Sequence, residues 1–155
     1  INQLLHYLDE NLKDDQKLYV NFHPIVQKFV KLDNYEHIYP FPSGVDKYEF
    51  LNSVDALITD YSSVFFDFAN LKRPVLFYTY DIEKYKNQLR GFYIDMNTEV
   101  PGPLLYTSEE VVDAILNIDQ INEEYKERYE EFYKRFCCYD IKFAFHRSNV
   151  SVSTI

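Results

Sequence analysis

The stretch Leu57-Ile58-Thr59-Asp60-Tyr61-Ser62-Ser63-Val64-Phe65-Phe66-Asp67 decides the fold. Ala56-Leu57-Ile58-Thr59 reads as a short strand with no polar alternation, ending at Asp60. Ser62 or Ser63 then stands where a helix over Val64 to Leu71 needs a cap. A strand that is apolar on both faces belongs in a parallel sheet covered by helices on each side.

The same pattern continues outward. Downstream, Pro74-Val75-Leu76-Phe77-Tyr78 is another continuous apolar strand. Upstream, Asp46 caps a helix from Lys47 to Val54, and His37 to Phe41 makes a short strand. Before these, Lys17 to Phe22 is a strand, and Pro24 opens a short helix over Ile25 to Val30. At the start, Ile1, Leu4, Leu5, Leu8 and Leu12 repeat with helical spacing. There is no initiating Met, and the chain is read as a piece of a longer one. Short buried strands alternating with helices predict a doubly wound, Rossmann-like α/β domain.

Beyond the last strand, Tyr80 to Pro103 is polar, aromatic and irregular, with one short helix around Ile82 to Asn87. A connection of that length is more often functional than idle. Ser108 caps a helix over Glu109 to Ile118, and a final helix runs from about Ile121 to Phe136. Its stripe of Tyr125, Tyr129, Phe132 and Phe136 is a packing face. Residues 1–136 therefore read as one α/β domain, and 137–155 as a separate tail.

Composition narrows the function. The 155 residues carry 16 basic and 25 acidic side chains, a formal net charge of −9. Such a chain lacks the positive field that nucleic-acid binding requires. With only 3 glycines, neither a turn-rich barrel nor a glycine-rich phosphate loop is available. No apolar run is long enough to span a membrane. Cys137 and Cys138 are adjacent, which makes neither a disulfide framework nor a metal knuckle, and fits a reducing, cytosolic setting.

In an open parallel sheet, ligands bind beyond the carboxyl ends of the strands. Backbone N–H groups at the start of the helix, with the hydroxyls of Ser62 and Ser63, suit a phosphate there. Asp67, one turn on, is placed to accept hydrogen bonds from a ribose diol. The same residues would serve a purely structural role, Ser62 as a cap and Asp67 as a partner of the helix dipole. A nucleophilic serine is disfavoured, because the glycines of a nucleophile elbow are missing on both sides. His23, after the first strand, can donate to a phosphate oxygen or protonate a leaving group. Arg90, beside Gly91 in the long connection, can grip a phosphate with both guanidinium nitrogens. His23, His37, Asp60 and Asp67 lack metal-ligand spacing, and the Asp-x-Asp pair that holds a divalent ion beside a diphosphate is absent.

Taken in order, His23-Pro24, Ile58 to Phe68, Lys72-Arg73-Pro74, Phe77 to Asp81, Arg90-Gly91-Phe92-Tyr93, Pro101-Gly102-Pro103 and Ser108 to Val111 resemble the CDP-glycerol glycerophosphotransferase family, the teichoic acid polymerases and primases of Gram-positive bacteria. The resemblance covers roughly residues 15 to 136. It implies the C-terminal, nucleotide-binding half of a two-domain GT-B transferase, with CDP-glycerol as donor and no metal or other cofactor. His23 matches the family's catalytic histidine at the donor phosphates. Ser62 and Ser63 match the phosphate donors there, Asp67 the acidic position at the ribose, and Asp60 and Arg90 further substrate-binding positions. The implied reaction is attack of a polymer hydroxyl on the β-phosphate with release of CMP, for teichoic acid or capsule synthesis.

The acceptor is implied to be a lipid-linked glycerol-phosphate polymer, held by a half that this sequence does not contain. The location implied is cytoplasmic, peripheral at the inner face of the membrane. A CDP-ribitol or sugar-nucleotide donor, and a non-catalytic nucleotide-binding module, are the alternatives. After Phe136 the pattern departs from the family: Asp140 to Phe145 alternates and lacks glycine.

Overall fold

In the computed structural model, the described residues are 2–22, 24–60, 62–80, 94–137 and 150–153. They form helices α1 (Asn2–Asn11), α2 (Pro24–Gln27), α3 (Lys47–Leu51), α4 (Val64–Ala69), α5 (Ser108–Leu116), α6 (Ile118–Glu124) and α7 (Lys126–Phe136). The strands are β1 (Leu18–Val20), β2 (Ile38–Pro40), β3 (Val54–Thr59), β4 (Val75–Tyr78), β5 (Leu104–Leu105) and β6 (Val150–Ser153). All pairings are parallel, and the order is β2-β1-β6-β3-β4-β5.

The sheet carries one core on each face. Leu57 and its neighbours Val54, Val75 and Phe77 pack with Phe65 and Phe68 of α4 and Phe132 of α7. Ile58 and Leu76 face the other way, toward Leu4, Leu5 and Leu8 of α1 and Val111 and Val112 of α5. Adjacent residues of one strand thus feed opposite cores, which is why these strands read as unbroken apolar runs. Phe65, fully buried, stacks on Phe66 with ring centroids 4.3 Å apart and meets Phe77 edge-on at 5.1 Å. Burying such a ring is worth about 2–3 kcal/mol.

Edges and joints follow from residue chemistry. Pro40 lacks an N–H and lies on β2, an outermost strand, where no neighbour requires one. Asp9 of α1 accepts the backbone N–H groups of Glu36 and His37 at 3.1 and 2.7 Å, tying that helix to the entry of β2. Gly102 passes so close to β4 that a Cβ there would lie 1.8 Å from the Val75 carbonyl oxygen. The crowding, rather than any turn, demands glycine at this position.

Several expectations shift in detail. The helix after Tyr106 is capped by Thr107, not Ser108. The Thr107 hydroxyl accepts the Glu110 N–H, and the Glu110 carboxylate accepts the Thr107 N–H, forming a capping box. The final helix is broken at Tyr125 into α6 and α7. Strand β5 is only two residues long, too short for any sequence period to reveal. Val150–Ser153, in the stretch set apart as a tail, forms a strand inside the sheet between β1 and β3. The proposed helix over Ile82 to Asn87 and the alternating stretch Asp140 to Phe145 lie outside the described residues.

Candidate active site

Because every strand is parallel, Val20, Thr59, Tyr78 and Ser153 end their strands at one common edge of the sheet. The turn from β3 into α4 lies on that edge and carries Asp60, Ser62 and Ser63. Oδ1 of Asp60 accepts the backbone N–H of Ser62 at 2.8 Å. This side-chain turn substitutes for a backbone one and fixes the path of the chain after the strand.

Ser63 occupies the N-cap position of α4, but its side chain makes no capping bond. The expected serine cap is therefore replaced by a turn held by Asp60. One N–H expected to face a ligand, that of Ser62, is consumed by it. Neither serine hydroxyl has a hydrogen bond among the described residues, and Ser63 is exposed while Ser62 is half-buried. Asp67 is exposed in the first turn of the same helix.

Thr59 was not singled out by sequence reasoning. It is 1% exposed, and its Oγ1 is the one buried side-chain polar atom without a partner among the described residues. Leaving a buried hydroxyl unpaired costs about 1–3 kcal/mol. The available signal was a threonine closing an otherwise apolar strand.

At the same edge, a cavity of about 580 Å³ opens beyond β1 and β2, lined by Asn21, Phe22, Gln27, Lys31, Phe41 and Ser43 among others. That volume falls within the range of small-molecule sites, roughly 300–1,000 Å³. A smaller, more apolar cavity of about 210 Å³ lies at the opposite edge, by Leu18, Ala56 and Pro74, away from the serines.

Groups with displaced pKa values lie elsewhere, around α7. Hydrogen bonds from Asn97 and Thr98 hold the Asp95 carboxyl below its usual range. Glu99 is lowered by the Asp95 N–H and then by Arg135. Burial raises the Tyr129 phenol. Glu99 ties the segment after residue 93 to Arg135 of α7, and Asp95 holds that segment's own turn through Asn97 and Thr98. Tyr129 ties α7 to the Arg73 carbonyl, so these roles are structural. Among the described residues no three side chains gather as a metal site, and no helix is long and apolar enough to cross a membrane.

Asp60, Ser62, Ser63 and Asp67 are thus brought together in one turn and the helix it starts. His23 and Arg90 lie outside the described residues.

Comparison with known proteins now bears on this edge. Residues 3–147 match the family model for CDP-glycerol:poly(glycerophosphate) glycerophosphotransferases. The chain belongs to this family. It is 43% identical over 134 residues to the teichoic acid poly(glycerol phosphate) polymerase of Bacillus subtilis (strain 168), covering 86% of this chain and 18% of that protein. With the teichoic acid glycerol-phosphate transferase of Staphylococcus aureus (strain NCTC 8325 / PS 47) it shares 39% over 141 residues, 88% of this chain and 35% of that one. The solved structure of the wall teichoic acid polymerase TagF superposes with a TM-score of 0.72 at 29% identity, over 87% of this chain and 44% of that one. A TagF variant soaked with CDPG aligns at 0.71 and 30% identity, over 90% and 44%. The chain therefore spans less than half the length of these glycerophosphotransferase relatives.

Proposed function

We propose that this chain is the donor-binding domain of a CDP-glycerol:poly(glycerophosphate) glycerophosphotransferase, built as the doubly wound, Rossmann-like half of a GT-B enzyme. The observation that carries the reading is the β3–α4 turn. It presents two serine hydroxyls without hydrogen-bond partners among the described residues at the carboxyl edge of a parallel sheet, in a member of this family. The cavity of about 580 Å³ beyond β1 and β2, at the same carboxyl edge of the sheet, is of nucleotide size.

The diphosphate of CDP-glycerol lies against Ser62 and Ser63, with Arg90 as a further phosphate ligand. Asp67 accepts from the ribose hydroxyls. Asp60 acts by shaping the turn. The terminal hydroxyl of a glycerol-phosphate polymer attacks the β-phosphorus and gives up its proton to a base supplied by the acceptor-holding remainder of the enzyme. A new P–O bond forms, the bond from the β-phosphorus to the bridging oxygen breaks, and CMP leaves with that oxygen. His23 stabilises or protonates the leaving phosphate, and neutral hydroxyl donors in a partly dehydrated crevice spread the developing charge without a metal. The acceptor polymer, lipid-linked, is held by the remainder of the enzyme, which works in the cytoplasm at the inner face of the membrane.

A ribitol donor is the second reading, favoured by one finding. The teichoic acid poly(ribitol-phosphate) polymerase of Bacillus spizizenii (strain ATCC 23059 / NRRL B-14472 / W23) is 36% identical over 122 residues, 74% of this chain and 19% of that one. Transfer assays with the full-length protein in EDTA, supplying CDP-glycerol or CDP-ribitol to a glycerol-phosphate acceptor, separate the two. Polymer growth from CDP-glycerol is the expected result. Growth from CDP-ribitol alone supports the second reading, and growth from neither, or only when a divalent metal is restored, contradicts the metal-free mechanism.

A further inference from the structure

At the amino edge of the sheet, opposite the serine turn, the cavity of about 210 Å³ has a divided lining. Its depth is apolar. Leu12 just past α1, Leu18 of β1, Ile58 of β3 and Leu76 of β4 are buried and line it, and Ile118 of α6 closes one side. Ala56 lies two residues before Ile58 and so on the same face of β3, and its small side chain leaves the space open. Apolar walls with nothing between them forfeit dispersion contacts, which a ligand of matching shape restores.

The mouth is acidic. Asp55 and Asp119 line it and are exposed, and neither carboxylate has an ion pair or hydrogen bond among the described residues. The cation in the described lining is Lys17, whose ammonium lies over the Tyr39 ring, 5.8 Å from the centroid. Tyr39 packs on Tyr19, which belongs to the core on the other face of the sheet. That positive charge is therefore spent away from the cavity. Gln16 and Asn122 bring amide groups to the rim, and the Gln16 carbonyl already accepts the Lys13 N–H.

We infer that this cavity is a binding site for a small apolar ammonium. Its hydrocarbon body packs against Leu18, Ile58 and Leu76, and its charged nitrogen points to Asp55 and Asp119. Size supports an aromatic ring or branched alkyl group on a short chain, since an apolar cavity of about 150 Å³ already holds benzene. Charge selects the head group. An anion would meet two carboxylates and a chain of net charge −9, and a neutral head gains nothing from either. The site is separate from the donor edge: Asp55 and Asp60 lie at opposite ends of β3, about 16 Å apart along the strand. The two ligands do not compete.

Calorimetric titration of the full-length protein, first without nucleotide, tests the inference independently of the donor reading. The probes are phenethylamine, phenethyl alcohol and phenylacetate, which share a ring and differ in charge. Phenethylamine is expected to saturate a single site about fivefold more tightly than the alcohol, with phenylacetate weaker than both. Ala56→Leu fills the space and should weaken phenethylamine by about tenfold or more. The double variant Asp55→Asn, Asp119→Asn changes exposed side chains only, and should bring the amine to the affinity of the alcohol. No saturable binding by any probe overturns the inference, as does phenylacetate binding as tightly as the amine. Amine binding unmoved by either variant, or displaced by CDP-glycerol, overturns it as well.

Discussion

Oδ1 of Asp60 accepts the backbone N–H of Ser62 at 2.8 Å, so the acidic residue closing β3 is spent on shaping the turn. Ser62 and Ser63 are thereby left without the capping duty their position promised. An Asn side chain can make the same turn through its amide oxygen, and an Ala cannot. Asp60→Asn is therefore expected to keep donor affinity within about threefold, while Asp60→Ala weakens it by about tenfold, the worth of one hydrogen bond to the backbone. Titration of both variants with CDP-glycerol checks this. Equal losses would show that the carboxylate itself contacts the donor.

Gly102 is a packing glycine. A Cβ at this position would meet the Val75 carbonyl at 1.8 Å, and a backbone atom of a buried strand has no rotamer by which to move away. Gly102→Ala should destabilise the chain by about 2–3 kcal/mol, as other overpacked cores do. Urea unfolding measures it, and a loss below about 0.5 kcal/mol would mean that the loop shifts freely.

Tyr129 donates its hydroxyl to the Arg73 carbonyl at 2.6 Å and is 7% exposed. Removing the hydroxyl in Tyr129→Phe leaves that carbonyl unpaired and should cost about 1–2 kcal/mol at neutral pH. Burial also raises the phenol above its ordinary pKa of 10.0. The stability tied to the neutral phenol is complete below that value. It falls as pH rises further, because the unfolded chain then ionises first. Between wild type and Tyr129→Phe, the slope of stability against pH above 10.0 should differ by up to about 1.4 kcal/mol per unit. Parallel profiles would place Tyr129 in water.

Thr107 and Glu110 close the start of α5 reciprocally. Thr107→Ala should cost about 1 kcal/mol in urea unfolding, and Ser108→Ala far less, the reverse of what helix-start statistics applied to Ser108 predict.

Much of this was legible because the buried strands announce themselves. Leu57-Ile58 and Val75-Leu76-Phe77 are apolar on successive residues, and only a two-sided core explains that. Asp46 was equally clear, and it accepts the N–H groups of Tyr48 and Glu49 as its place before α3 implies. The site turn was legible in its residues but not in their division of labour. Sequence cannot tell whether a serine hydroxyl or a nearby carboxylate wins a backbone N–H, since both satisfy the same donors at similar cost. The break at Tyr125 was hidden because Ile121, Tyr125 and Tyr129 keep helical spacing straight across it. The strand Val150–Ser153 was hidden because its place depends on β1 and β3, far away in sequence.

The central claim is that the turn after β3 holds the donor diphosphate, and calorimetry of the full-length protein in EDTA tests it most directly. Wild type and the Ser62→Ala, Ser63→Ala double variant are titrated with CDP-glycerol, CDP, CMP and UDP. The account predicts saturable binding of CDP-glycerol and CDP, weaker binding of UDP, and a loss of about tenfold or more in the double variant at unchanged melting temperature. Equal affinity of the two proteins for CDP-glycerol would contradict it.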